Sequence, residues 1–188
     1  PPPAAPGGPS CLVPTSCLDE PSLLAQTGQS YNEADIFAFG RGYCFGPTFR
    51  AEKSDTRRHG MEFWMVEPEM AFTDLWENME VIEQFVGYCV QTVLEKRADD
   101  LALLGRDVSR LQNVMPPFPR IHYDDAVKLL HANGFPDFPC GEDFGAPHDD
   151  TISAQFDKPD VLHHHPRGVK AFYMQPDPDL PAHMLALS

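Results

Sequence analysis

Arg50 and Glu52 stand two residues apart, and so do Phe63, Met65 and Glu67. On a β-strand a step of two places side chains on one face. Two such strands side by side present a guanidinium, a carboxylate, a flat aromatic ring and a second carboxylate on one surface. Lys53, Arg57, Arg58 and His59 lie between them. The chain carries a net charge of -14, yet five of its fourteen Lys and Arg fall between Arg41 and Arg58. A local positive cluster in an acidic chain fits a polyphosphate, which an arginine fork holds through paired N–H groups.

The elements that would position these residues are two strands and a charged tip. Tyr43–Glu52 is rich in extended-favouring residues, with a break or bulge expected at Gly46-Pro47. Met61–Phe72 is again aromatic and apolar, and Lys53–Gly60 is almost wholly polar. The pattern predicts a hairpin with a long tip.

F-R-A-E at Phe49–Glu52, followed by R-H-x-x-E-F at Arg58–Phe63, resembles motif 2 of the class II aminoacyl-tRNA synthetases. G-P-T-F-R-A-E from Gly46 and W-M-V-E-P-E from Trp64 are similar to the asparaginyl members of the Asp/Asn/Lys subclass. T-G-Q-x-Y-N-E at Thr27–Glu33 resembles the segment that holds the amino acid there, with Ser30 in place of the family's apolar residue. The resemblance covers roughly Leu23 to Ser188 and implies a partial catalytic domain, with motif 2 at residues 43–72.

The resemblance also implies a reaction: ATP-dependent activation of asparagine to asparaginyl-adenylate, then transfer to tRNA(Asn). In it Arg50 is the catalytic residue, bridging the substrate carboxylate and the α-phosphate. Glu52 reads the adenine amino group, Phe63 stacks on the ring, and Arg58 with His59 grips the outer phosphates. Gln29 and Glu67 bind the amino acid at its ammonium group. ATP and Mg2+ are the expected cofactors, with the magnesium ligands downstream of this chain. The expected partners are asparagine, ATP and tRNA(Asn), in a cytoplasmic homodimer. Two other classes fit the same residues: a free-standing paralogue such as an asparagine synthetase, or an inactive nucleotide-binding module.

At 188 residues with 42% hydrophobic content the chain can build one globular domain. It has no apolar run near the ~18 residues of a membrane span, and no charged and apolar leader of the secretory kind. Five cysteines without C-x-x-C pairs point to free thiols in a reducing compartment. The acidic balance speaks against most of the surface being a nucleic-acid interface.

Residues 1–22 are proline-rich and read as a disordered leader. A helix follows over Asn32–Phe39, with Thr27 or Ser30 as N-cap. Asp74 with Glu77 starts a long helix whose stripe runs through Leu75, Met79, Ile82, Phe85, Val86, Cys89, Val90, Val93 and Leu94, with Gly105 as its C-cap. This stripe is scaffold, not a cofactor box. Arg120–Tyr123 is extended and Asp124 caps a helix over Asp125–Ala132. Phe138–Ser153 reads as a loop, and Val169–Met174 as a strand. No metal site is assigned. Glu142, Asp143, His148, Asp149 and Asp150 read as loop acids and caps, and the imidazoles of His163-His164-His165 would alternate between the faces of a strand. The expected fold class is α+β: an antiparallel sheet of the class II synthetase core that carries the site, flanked by helices.

Overall fold

The computed structural model describes residues 12–51 and 60–188. The chain divides into two compact units, residues 1–73 and 74–188.

In the first unit β1 (Pro14–Cys17) and β2 (Glu20–Leu23) form an antiparallel hairpin. Its turn residues Leu18 and Asp19 both have positive φ, as a two-residue type I′ connection requires. The leader expected over residues 1–22 therefore holds a hairpin in its described part. Proline is tolerated there because Pro14 and Pro21 lie on short, exposed edge strands.

Helix α1 (Gln29–Phe39) precedes β3 (Arg41–Phe49) and β4 (Glu62–Met70). These strands pair antiparallel over nine residues each, from Arg41↔Met70 to Phe49↔Glu62, without the bulge expected at Gly46-Pro47. The ladder explains why. Arg50 N–H donates to Met61 O at 2.9 Å and Ala71 N–H to Gly40 O at 2.8 Å. Even positions of β3 therefore form the hydrogen-bonded pairs, and odd ones alternate with them. Pro47 and Pro68 fall in the other set, where an N–H would point away from the partner strand. Neither proline costs a ladder bond.

The same alternation divides the hairpin by face. Gly42, Cys44, Gly46 and Thr48 of β3, with Phe63, Met65, Glu67 and Glu69 of β4, are partly or fully buried. Tyr43, Phe45, Trp64 and Val66 lie on the other, exposed face. Helix α1 packs on the first face, where Asn32 Nδ2 donates to Glu67 O at 2.9 Å.

The second unit begins with α2 (Leu75–Lys96), capped as expected: Asp74 Oδ1 accepts from Glu77 N at 2.9 Å, and Glu77 Oε2 accepts from Asp74 N at 3.4 Å. Its buried residues are Leu75, Met79, Glu83 and Gly87, with Val86 and Val90 packed beside them. Phe85, Cys89 and Val93 are exposed, so the buried stripe is narrower than expected. Gly87 has a packing reason, since a Cβ there would stand 2.9 Å from Pro116 Cδ. Glu83 is buried because Arg120 Nε donates to its Oε1 at 2.7 Å.

The helix does not reach Gly105. A second helix, α3 (Ala98–Leu103), ends there. Gly105 N donates to Ala102 O and Arg106 N to Leu101 O, both at 3.0 Å, the Schellman pattern, with Gly105 at φ +62. A short α4 (Ser109–Gln112) follows. Strands β5 (Arg120–His122) and β6 (Val161–His163) pair parallel, not antiparallel. Between them lie α5 (Tyr123–Ala132) and α6 (Ala146–Ser153). His122, not Asp124, caps α5, its Nδ1 accepting from Asp124 N at 3.2 Å. The segment read as a loop over Phe138–Ser153 contains α6. Pro147 is accommodated in its first turn, where helix N–H groups lack intrahelical partners. The strand expected over Val169–Met174 is absent. A 3-10 turn spans Arg167–Val169, and Phe172 is 95% exposed. The core gathers Ile121, Tyr123, Ala126, Val127, Leu130, Phe138, Ile152 and Leu162, with Tyr123 OH donating to Glu142 O at 2.7 Å.

Candidate active site on the β3–β4 hairpin

Arg50 follows β3 directly, and its side chain lies over the hairpin's buried face. Its Cζ is 5.6 Å from the Phe63 ring centroid, a cation–π arrangement. Nε donates to Gln26 O at 3.3 Å, and Nη2 lies 3.9 Å from Met65 Sδ. Among the described residues no carboxylate is within ion-pair distance of this guanidinium. Parity thus brings Arg50, Phe63 and Met65 together as the sequence predicts.

Glu67 is the next residue on that face after Met65, a step of roughly 6.6 Å along the strand. Its carboxylate accepts from Gly28 N at 3.0 Å and from the Thr27 hydroxyl, and Cys44 Sγ lies 3.5 Å away. Gln29 N donates to Thr27 Oγ1 at 3.1 Å. The N-cap residue Gly28 has no side chain to offer, so Thr27 Oγ1 serves the Gln29 amide and the β4 carboxylate serves the Gly28 amide. The negative charge also suits the positive end of the helix dipole. Ser30 is not the cap. Gly28 is required by close approach, since a Cβ would meet Cys44 Sγ at 2.5 Å.

Gln29 sits on the first turn of α1, where its Nε2 donates to Glu33 Oε1 at 3.0 Å. Glu33, Glu67 and Glu69 form an acidic end of the face. Burial, with Glu33 and Glu67 nearby, holds the Glu69 carboxyl above its ordinary range. Burial and the Glu67 charge push the Cys44 thiol up as well. Glu52, Arg58 and His59 lie outside the described residues. Sequence reasoning missed Thr27 as Glu67's partner and Cys44 beside it. The register Cys44↔Glu67 was the available signal for Cys44.

In the second unit Lys170 Nζ lies 3.8 Å from Asp143 Oδ1, while Tyr173 is exposed. The histidine tract differs from the expected strand. Strand β6 ends at His163, and His164 takes φ +58, so the chain turns and the two rings meet at 2.5 Å between their Nδ1 atoms. Neighbouring imidazoles that would alternate on a strand are thus brought together. Burial, with His164 and His122 nearby, pushes His163 down to about 4. Burial also takes His165 to about 4.

The architecture has known counterparts. The family model of the tRNA synthetases class II (D, K and N) matches residues 7–188, and the chain belongs to that family. Within it, the asparagine–tRNA ligase of Desulforamulus reducens is 54% identical over 177 residues, which cover 94% of this chain and 41% of that protein. The asparagine–tRNA ligase of Chloroflexus aurantiacus is 57% identical over 165 residues, 85% of this chain and 38% of that one. The crystal structure of asparaginyl-tRNA synthetase from Pyrococcus horikoshii complexed with asparaginyl-adenylate superposes with a TM-score of 0.90 at 40% identity, covering 96% of this chain and 41% of that one. The chain therefore spans about two fifths of the length of these relatives.

Proposed function

We propose that this chain forms asparaginyl-adenylate from asparagine and ATP, as part of an asparagine–tRNA ligase that passes the asparaginyl group to tRNA(Asn). The observation that carries this is the charge order on the hairpin face. The Arg50 guanidinium lies at the row of Met65, and the Glu67 carboxylate, fixed by Thr27 and Gly28, lies one row further. A free amino acid has the matching pair of charges, a carboxylate and an ammonium group.

In the reaction a carboxylate oxygen of asparagine attacks the α-phosphorus. A new P–O bond forms, the bond to the bridging oxygen of the β-phosphate breaks, and pyrophosphate leaves with that electron pair. Two anions must approach, and a planar guanidinium can hold an oxygen of each. Arg50 is assigned that place. Phe63 offers its ring to the adenine, which displaces the guanidinium from it towards the phosphates. Glu52, Arg58 and His59 are assigned to the adenine amino group and the outer phosphates. Gln29 and Glu67, on the acidic side, receive the ammonium group. The scaffold assigned to this site is the antiparallel sheet of the class II catalytic core. Mg2+ as the counter-ion of ATP, a homodimer and a cytoplasmic location accompany this reading through the family relationship.

The test is asparagine-dependent ATP–pyrophosphate exchange, with aspartate as control. Exchange with asparagine alone is the expected result. A folded chain that binds ATP without exchange would reduce the reading to a nucleotide-binding module. Exchange without charging of tRNA(Asn) would favour the free-standing paralogue.

A further inference from the structure

We propose that His122, Asp124 and His183, in the second unit, form a binding site for a divalent transition-metal ion of the zinc class. One donor atom from each residue lies within 4.8 Å of the other two. His122 Nδ1 is 3.6 Å from Asp124 Oδ2, and His183 Nε2 is 3.4 Å from Asp124 Oδ1. With zinc–ligand bonds of about 2.0–2.1 Å, ligand atoms at tetrahedral angles stand roughly 3.4 Å apart. The two His–Asp distances are already near that spacing, and the two imidazoles, within 4.8 Å of each other, would draw together to close on an ion.

The protein's own hydrogen bonds leave these rings incomplete. His122 Nε2 and His183 Nδ1 are buried without a partner. These are the nitrogens away from Asp124, so the ion would not meet them, and a buried water is the group that suits them. An ion on the Asp124 side fixes the remaining proton of each imidazole on its far nitrogen. At His122 it competes for Nδ1 with the Asp124 amide, which now donates there at 3.2 Å.

The surroundings hold the ligands in place. The His164 ring stacks on His122 at 5.1 Å between centroids, and His164 Nε2 is 3.2 Å from Asp177 Oδ2. Asp177 in turn accepts from Asp179 N at 2.8 Å. Two imidazoles and one carboxylate suit zinc or cobalt and do not suit magnesium. Three protein ligands leave a fourth position for water. The ion would clip the start of α5 to a segment 59 residues further along the chain.

The test is titration of the full 188-residue chain with Co2+ and Zn2+, followed by absorption and by equilibrium dialysis against a chelator. Expected is one ion per chain, a cobalt spectrum without a thiolate charge-transfer band, and no competition from excess Mg2+. Asp124→Asn and His183→Gln, checked as folded by circular dichroism, should each weaken binding at least tenfold. Zinc should also speed hydrogen exchange at the Asp124 amide by releasing its cap bond. No binding, a thiolate band, or binding within twofold of the parent in both folded variants would overturn the proposal. If either variant fails to fold, His122→Gln takes its place under the same criterion.

Discussion

The hairpin face and the histidine cluster are both polar sites, and they are built in opposite ways. On the hairpin the described charged groups are met by a neighbour in register or by the adjoining turn. Glu67 is held by Gly28 and Thr27, and Arg50 by Gln26 and the Phe63 ring. In the cluster the groups come from residues 122, 124, 164, 177 and 183, and two ring nitrogens are left over. A site whose groups already have partners is organised before a substrate arrives, whereas the cluster keeps buried nitrogens that its own hydrogen bonds leave unmet.

The largest effect that would break this contrast concerns Arg50. In the proposed reaction Arg50→Ala removes the guanidinium from the reacting phosphate, so it should lower asparagine-dependent exchange by about 10²–10³-fold with the fold intact. Arg50→Lys should recover little, because an ammonium group is not a fork. Parental exchange in either variant would remove Arg50 from the chemistry.

Next in size, Met79→Ala tests whether the second unit rests on packing. Met79 is fully buried in α2, and truncation should cost about 2–5 kcal/mol in urea unfolding. Gly28→Ala tests the hairpin's preorganisation. A Cβ 2.5 Å from Cys44 Sγ should cost about 1–3 kcal/mol, and Cys44→Ala in the same chain should restore most of it. Failure of that rescue would shift the constraint from the thiol to the helix start. Asp74→Ala removes the α2 cap and should cost about 1 kcal/mol in the same unfolding measurement.

The smallest effect is in pH. The Glu69 carboxyl is raised by burial and by Glu33 and Glu67. A raised carboxyl contributes stability that is full below its unfolded pKa and lost as pH rises through the folded value. Glu69→Gln should therefore be more stable than the parent at neutral pH and no more stable in acid. Equal urea midpoints at both pH values would mean that Glu69 is ordinary.

The hairpin was legible because its information is local. A step of two fixes a face, so Arg50, Phe63, Met65 and Glu67 follow from spacing alone. The Asp74–Glu77 cap is similarly local and holds as read. The Thr27–Glu67 contact spans 40 residues, and no periodicity encodes it. His164 at φ +58 ended a strand that its composition suggested would continue. Glu83 was hidden for a related reason: a charge in an apolar stripe is readable only once its partner Arg120 is known. Helix α6 was missed because glycine and proline were read as breakers, where the proline occupies a first turn.

The places of Pro47 and Pro68 in the ladder also govern what the hairpin can join. Outward-facing N–H groups remain on Glu62, Trp64 and Val66 of β4, while Pro68 offers none. On β3 the Phe49 N–H already donates to Ala25 O at 2.9 Å, and Pro47 leaves a gap beside it. A further strand therefore finds consecutive donors along the tip-side half of β4 and an interrupted row elsewhere. The two imino acids act as stops on sheet growth, limiting both the edge that is open and the register in which a newcomer can pair.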